Sequence, residues 1–582
     1  MKLFKNIWTA AAVVSLAVLS VGCTDIEDYP DGRITRSEIF GNAKRTAGFL
    51  NNCYEYIREN HGNAMGSNTM IASCSDEAFD VLNLQNGAPY QWITGNASAF
   101  SNPMEYSPSY WGRYYEGIRY CNIFLANIDN ANTFSETERK SFRAQAHGLR
   151  AYYYLQLIKR YGGVPIILKE ITDNSEYVGM KRNTYAECVR QIIADCREVL
   201  NTDEIGWFSG TADNERYKFS KGMACAIMSQ AALYAASPLN NDGSFTWNEA
   251  AKITKEALDL CTENGYALYT AQPSGDLSYS AYDAYFIRRA DVAGIEDKET
   301  IMEACNQLSM WSYNGLPTIL GQSKAGSCPS QELVDSYETT DGVMPILGYK
   351  DENHLEPIIN PAATLYSEKH PYNNRDPRLK AAIYYNGSPL RVGSTTVVET
   401  DEGGNCAISE DNVKNTRTGY YMRKFSSPNS NRTTNQDGYV KVFRLAELYL
   451  NYAEAASEAA TGTVPNDAVD AVNTVRARVG MPALAYGMTK DDFRTRLRNE
   501  RRVEFAFEEQ RFYDVRRWKI LNQTDRVITG MRPEGKGLNL EYKRFVVAHT
   551  SAYTDKYLRF PVPGDEAIRF KSYSGDFQNA GW

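Results

Sequence analysis

The densest set of chemically capable side chains lies towards the C-terminus: Glu500, Arg501, Arg502, Glu504, Glu508, Glu509, Arg511, Asp514, Arg516 and Arg517. Two carboxylates at a suitable separation can hydrolyse a glycosidic bond, one as acid and the other as nucleophile or base. Helical spacing offers these residues a simpler use. Arg501 and Glu504 stand three apart, the separation of a pair on one helix face, so the cluster reads as scaffold ion pairs. Arg150, Arg444 and Arg478, at helix starts or ends, read the same way. The five histidines, His61, His147, His354, His370 and His549, are far apart. No H-E-x-x-H, G-x-S-x-G or phosphate-binding glycine loop occurs. Gln322 to Gly326 carries a serine and a lysine but reads as a flexible turn. Asn240-Asn241-Asp242-Gly243 offers oxygen donors without the loop length or bidentate glutamate of an EF-hand calcium site. No catalytic residue, metal or cofactor is expected, and the chain reads as a binding protein rather than an enzyme.

Rings are the second resource. The chain holds 40 tyrosines, 22 phenylalanines and 8 tryptophans, and most must serve packing. Trp111 leads a helical stripe with Tyr114, Ile118 and Cys121, and Trp247 lies inside a helix cap, so both read as core. Trp92, Trp207 and Trp311 stand in polar, breaker-rich segments. Tyr90-Gln91-Trp92-Ile93-Thr94-Gly95-Asn96 and Trp311-Ser312-Tyr313-Asn314-Gly315 combine stacking rings with amides. A sugar needs both, an apolar face to stack on and partners for its hydroxyls, because an unpaired hydroxyl loses affinity. Tyr90, Trp92, Asn96, Trp311, Tyr313 and Asn314 are therefore the candidate ligand contacts. Tyr279, Tyr282 and Tyr285 lie between the two loops in sequence, and Tyr279 and Tyr282 join the set. Local packing is the competing use of every ring named.

The elements that must position these groups are mainly amphipathic helices. Ser135-Glu136-Thr137-Glu138 is a capping box, and Phe142, Ala146, Leu149, Tyr153 and Leu157 follow at steps of three and four. Gly162-Gly163 and Pro165 end that helix. Thr184-Tyr185-Ala186-Glu187 opens a second. Ser220 to Ala236 is a small-residue helix stopped by Pro238, and Thr246-Trp247-Asn248-Glu249 caps its neighbour. Leu445 to Ala460, Asn466 to Val479 and Thr489 to Gln510 follow. An Ala-rich helix, a break and a second helix recur over about 35–45 residues, as in tetratricopeptide-type repeats. From about Gly265 to Val440 the chain is rich in Gly, Pro, Asn, Ser and Tyr, with possible strands at Ile383-Tyr384-Tyr385 and Tyr439-Val440-Lys441-Val442. A long irregular segment within a folded domain is usually functional or disordered, and its aromatics argue for order. The predicted fold is mostly α, a tetratricopeptide-like helical-hairpin scaffold with a loop-rich subdomain containing a few short strands.

The N-terminus bears on the compartment. Lys2 and Lys5 precede an apolar run from Ile7 to Val21, which holds Trp8 and is too short for a membrane span. Gly22-Cys23 then fits a bacterial lipid-attachment site, with Ser20 where Leu is usual and Leu19 one place earlier. An ordinary signal peptide cleaved near Gly22 is the alternative. A lipidated Cys23 would anchor the chain stably. The acidic stretch Thr24 to Asp28 resembles a surface-export signal of Bacteroidota lipoproteins. Net charge is −8, with no basic patch suited to nucleic acid. The other ten cysteines include no C-x-x-C pair. Several occupy apolar helical positions as small hydrophobes, and in an exported chain a disulfide among them stays open. The expected organisation is a signal peptide over 1–22, a lipidated linker over 23–36, an N-terminal helical repeat region over 37–264, a loop-rich ligand-binding subdomain over 265–440, and a C-terminal helical repeat region with tail over 441–582.

Taken in chain order, several blocks resemble the SusD/RagB family of nutrient-binding outer-membrane lipoproteins of Bacteroidota. Leu149-Arg150-Ala151-Tyr152-Tyr153-Tyr154, with Tyr161-Gly162-Gly163-Val164-Pro165, is similar to its first signature. Lys221-Gly222-Met223-Ala224, Gln331 to Tyr337 with Asp341-Gly342, and Arg375-Asp376-Pro377-Arg378-Leu379 follow. Arg444 to Ala455 is the most specific block. Asn473 to Arg478, Glu500 to Phe505, Phe512 to Trp518 and Leu558 to Pro563 complete the set, and Asn579-Ala580-Gly581-Trp582 departs from it with Ala where Pro is common. Trp518 and Trp582 thereby belong to scaffold blocks. The resemblance implies a cell-surface protein that binds oligosaccharide or polysaccharide and acts as a hinged lid on a SusC-like TonB-dependent transporter, with no catalytic residues. It also implies a glycan site in loops near the chain positions of Trp92 and Trp311. A peptide-binding lid of a similar transporter is the nearest alternative, and a surface glycoside hydrolase a more distant one.

Overall fold

The computed structural model describes residues 34–57, 69–81, 87–105, 109–210, 218–271, 280–287, 296–304, 307–311, 316–322, 324–390 and 394–582. Two lead-in helices, α1 (Arg36–Phe40) and α2 (Ala43–Tyr54), precede a short α3 (Ala88–Ile93). A stack follows: α4 (Tyr110–Asn127), α5 (Glu136–Tyr161), α6 (Tyr185–Leu200), α7 (Lys221–Ala236) and α8 (Trp247–Glu263), each packed on the next. Three of them start at the capping boxes read from sequence. Ser135, Thr184 and Thr246 accept from the N–H three residues on, and the glutamate at that position returns to the cap backbone. Gly162, at φ 79°, ends α5. α7 is buried along its whole length, as befits a helix with no polar face. Close helix approach also needs missing side chains. A Cβ on Gly148 of α5 would lie 2.3 Å from the Phe219 ring.

The irregular middle of the chain folds through pairs of short strands. Those over Ala78–Asp80 (β1) and Ser327–Pro329 (β3) pair, as do Thr300–Glu303 (β2) with Lys441–Arg444 (β8), Ile346–Tyr349 (β4) with Pro357–Ile359 (β5), and Ile383–Tyr384 (β6) with Tyr421–Met422 (β7). Short helices α9 (Ala281–Phe286), α10 (Gln331–Ser336) and α11 (Pro377–Ala382) lie among them. The β1–β3 and β2–β8 pairs tie this region to chain segments on either side of it. Its buried residues form cores of their own, centred on Tyr282, Tyr285, Phe286, Leu333, Tyr337 and Phe425.

The stack then resumes. α12 (Leu445–Ala459) packs on α8 and α7, and α13 (Asn466–Arg478) packs on α12. One helix was expected from Thr489 to Gln510, but the structure has two, α14 (Lys490–Glu504) and α15 (Gln510–Arg517). Between them Phe507 and Glu509 adopt positive φ, 62° and 68°. The break is stabilised by distant side chains. The carbonyls freed there are answered from elsewhere: the Lys424 ammonium donates to the Glu504 and Ala506 carbonyls and to the Glu508 carboxylate, at 2.8–3.3 Å, and Tyr282 and Arg444 also donate to the Glu504 carbonyl. A short α16 (Leu521–Thr524), a long hairpin of β9 (Val527–Glu534) and β10 (Glu541–His549), and α17 (Gly564–Ser574) close the chain. The fold is mostly helical with short strands, as the sequence predicts; the β9–β10 hairpin is an addition to that reading. No helix among the described residues is long and apolar enough to cross a membrane.

Candidate functional site

The carboxylates that invited a catalytic reading are locked in a buried ion network. Arg444 uses every donor of its guanidinium, bonding Glu508 through Nε and Nη2, Glu299 and Glu504 through Nη1, and the Glu504 carbonyl through Nη2. Arg478 bridges Glu299 and Glu504. Arg378 joins Asp376, Glu500 and Glu504, and Arg476 joins Glu338 and Glu500. Burial alone would raise the Glu504 carboxyl, but the guanidinium groups of Arg478, Arg444 and Arg378 outweigh it and hold Glu504 well below the usual carboxylate range. A carboxylate so held is a poor proton donor. Glu500 and Glu504 are also sealed from solvent, so no substrate reaches them. Among the described residues no group of three or more His, Cys, Asp or Glu is placed to hold a metal ion.

Other buried carboxyls are raised instead, Glu77 and Glu105 among them. Burial pushes Glu77 up to about 7 against the hydrogen bond it accepts from the Phe507 N–H, and pushes Glu105 up to about 7 against one from the Tyr161 hydroxyl. Glu77 is fully buried and has no route to a substrate. Its consequence is for stability. Its folded value lies above the ordinary 4.5, so the folded state favours the neutral acid. The cost of ionising it is absent below about pH 4.5, grows through the interval up to about 7, and is complete above. Glu77→Gln keeps the acceptor for Phe507 and removes the titration. Urea denaturation from about pH 5 to about pH 8 should therefore show a smaller loss of stability with rising pH in the variant than in the parent.

The ring candidates separate on the structure. Trp92, expected as an exposed sugar platform, is 0 % exposed. It fills a nest of aromatic rings, with centroid distances of 5.1 Å to Tyr557, 5.5 Å to Phe560 and 6.0 Å to Phe512. The expectation for Trp92 is thus corrected: α3, capped onto the tail by the Ser551 N–H to Ile93 carbonyl bond, turns the ring inward because this pocket gives it more apolar contact than solvent would. Tyr90 on the same helix is half-buried, and Asn96 is exposed with its amide on the Thr94 hydroxyl at 3.0 Å. Tyr282 is corrected likewise. It is buried, donates to the Glu504 carbonyl at 3.0 Å and accepts from Lys424, so it belongs to the ion network. Tyr279, Tyr313, Asn314 and the expected lipid site Cys23 lie outside the described residues.

Trp311 is half-buried at the edge of the loop-region core. The described segments to either side of it, 307–310 and 316–322, are tied to distant parts of the chain. Before it, the Met310 N–H donates to the Asp437 carboxylate at 2.9 Å, the Gln307 amide to the Asp437 carbonyl and the Asn435 amide to the Leu308 carbonyl. Beyond it, Thr318 and Gln322 both donate to the Lys414 carbonyl, and Thr318 pairs with the Tyr421 hydroxyl at 2.8 Å. Ile319 remains 40 % exposed beside this anchor. The structure thus keeps Trp311 and Trp92 apart, in different cores. Asp437, Lys414 and Tyr421 were not legible as its supports, because their partners lie about 90–130 residues away in sequence. Trp207 is half-buried, and its carbonyl accepts from Tyr266 at 2.7 Å. The nine described cysteines other than Cys23 and Cys305 are buried free thiols, which fits the reading of them as core.

Residues 296–582 match the model of the SusD family, and residues 45–230 match a model described as "Starch-binding associating with outer membrane". A curated relative, SusD-like protein P2 of Formosa agariphila, is 22 % identical over 580 residues, 96 % of each chain. Among solved structures, a SusD-like protein from Bacteroides fragilis is 26 % identical with a TM-score of 0.73, covering 94 % of this chain and 99 % of that one. A SusD-like carbohydrate-binding protein from the same species is 22 % identical with a TM-score of 0.66 over 91 % and 99 %. A laminarin-binding SusD-like protein has a TM-score of 0.55 at 20 % identity, over 93 % and 100 %.

Proposed function

This chain belongs to the SusD/RagB family, and from that premise we propose that it captures oligosaccharide or polysaccharide at the outer membrane without cutting it. The observation that carries the reading is the full-length correspondence of its fold to SusD-like proteins, one at 26 % identity, with carbohydrate-binding and laminarin-binding proteins among its structural neighbours. The sealing of Glu500 and Glu504 supports the absence of catalysis at that cluster. In this proposal Cys23 carries the lipid anchor, the chain faces the cell exterior, and captured glycan passes to a SusC-like TonB-dependent transporter. The binding face is centred on Trp311, with Tyr313, Asn314 and Tyr279 as its companions. Trp92 and Tyr282 take no part in it.

The reading is tested with purified protein and a polysaccharide panel. Trp311→Ala should keep its fold and weaken binding by roughly tenfold or more, since loss of a ring anchor costs about 2 kcal/mol. Retention of tryptic peptides with no glycan bound would shift the ligand to peptide. New reducing ends released by the purified chain would make it a hydrolase and end the proposal.

A further inference from the structure

A second concave surface lies far along the chain from Trp311. The cleft has a volume of about 620 Å³, within the usual range of roughly 300–1,000 Å³ for small-molecule sites. One wall is α4, the floor is the extended chain after Pro165, and the opposite wall is α17. Tyr115, Tyr177 and Tyr573 present half-exposed rings to it. Tyr177 is held edge-on against Phe570, at 6.2 Å and 80°. The polar groups divide into spent and unspent. Tyr115 uses its hydroxyl on the Pro165 carbonyl at 2.8 Å. The hydroxyls of Tyr177 and Tyr573 and the amide of Asn174 have no hydrogen-bond partner among the described residues.

Charge and backbone narrow the ligand. Arg119 pairs with Glu170, Lys169 with Glu176 and Arg569 with Glu566. The cations of the cleft are thus answered within the protein, which disfavours a charged ligand. A peptide adding as a strand would need free backbone groups on the floor. Several of those on the side facing α4 are taken: Tyr154 and Asn122 donate to the Ile167 carbonyl, Asn122 also to the Lys169 carbonyl, the Ile167 N–H donates to Tyr154, and the Ile166 N–H to Asn183. What the cleft still offers is ring faces, two phenolic hydroxyls and an amide, with the Glu116 carboxylate at its edge engaged by Tyr56. Those match a neutral saccharide, which has apolar ring faces and many hydroxyls and carries no charge.

We propose that this cleft is a second saccharide-binding site, independent of Trp311, that takes a neutral oligosaccharide. The proposal rests on the glycan-capture reading for its ligand class. Two sites on one chain would hold a polymer with greater avidity than either alone, provided one chain can span both.

Calorimetric titration of the full chain with neutral gluco-, xylo-, manno- and galacto-hexasaccharides tests it. On a hexasaccharide that binds, the parent should show a stoichiometry near two. Tyr177→Ala with Tyr573→Ala, and separately Trp311→Ala, should each leave one site. Tyr177→Phe with Tyr573→Phe keeps the rings and the packing, so folding is not at issue, and should weaken the cleft site by about tenfold. A single site lost in Trp311→Ala and untouched in both tyrosine variants overturns the cleft while the proposed function stands. No heat with any hexasaccharide overturns both for neutral glycans. Tryptic peptides retained by the parent but not by Tyr177→Ala with Tyr573→Ala, with no saccharide in the cleft, would make it a peptide site and also overturn the proposal.

Discussion

Arg444→Ala is expected to destabilise the protein by about 3–5 kcal/mol, the range for removing one partner from a buried ion network. The loss is large because three carboxylates meet on this one guanidinium. Glu504 keeps Arg478 and Arg378, Glu299 keeps Arg478, and Glu508 keeps Lys424, so the network is wounded rather than emptied. Arg444→Lys should recover only part of the loss, because an ammonium cannot reproduce the planar fork. The pH dependence has a defined sign. The Glu504 carboxyl is depressed in the fold, so its contribution is present above its ordinary value near 4.5 and is lost as pH falls through the folded value. Removing Arg444 shrinks that depression. The stability gap between parent and variant should therefore be widest near neutral pH and should narrow on acidification below about pH 4.5, as urea titrations would read.

Trp92→Ala should cost a comparable amount, about 3–5 kcal/mol, by opening a cavity among Tyr557, Phe560 and Phe512. The Arg516 guanidinium, 5.8 Å from the indole centroid, would lose that neighbour as well. Glycan affinity of the folded fraction should be unchanged, because the ring is sealed inside the protein. Trp92→Phe should cost less, keeping one ring in the nest. Trp311→Ala is expected to behave in the opposite way, with modest loss of stability and strong loss of binding. Measuring thermal stability and affinity on both variants separates the two tryptophans.

That contrast marks where the sequence is informative. Helices announce themselves locally, through Ser135, Thr184 and Thr246 with their returning glutamates, and through three- and four-residue apolar steps. The strands at Ile383–Tyr384 and Lys441–Arg444 overlap the β-branched and aromatic runs Ile383 to Tyr385 and Tyr439 to Val442, the second displaced by two residues. The break between α14 and α15 was not legible, because the groups that satisfy its freed carbonyls, Tyr282, Lys424 and Arg444, are distant in sequence. The inward turn of Trp92 was hidden for the same reason. Its flanks, Gln91, Thr94, Gly95 and Asn96, have the composition of a surface loop, while the rings that enclose it come from positions 512 to 582. The burial of Tyr282 follows from Glu504 and Lys424, again distant in sequence. The carboxylate cluster is structural, as its residues suggested, but the Arg501–Glu504 pair expected from their three-residue spacing does not form: Arg501 turns to Asp514, and Glu504 is held by Arg378, Arg444 and Arg478, which come from other elements.

Electrophoresis of the purified chain through gels cast with candidate polysaccharides tests the central claim most directly. Retardation by at least one polysaccharide is expected, markedly reduced in Trp311→Ala and retained in the folded fraction of Trp92→Ala. Equal retardation of the parent and Trp311→Ala, or free migration of the parent through every polysaccharide, would contradict it.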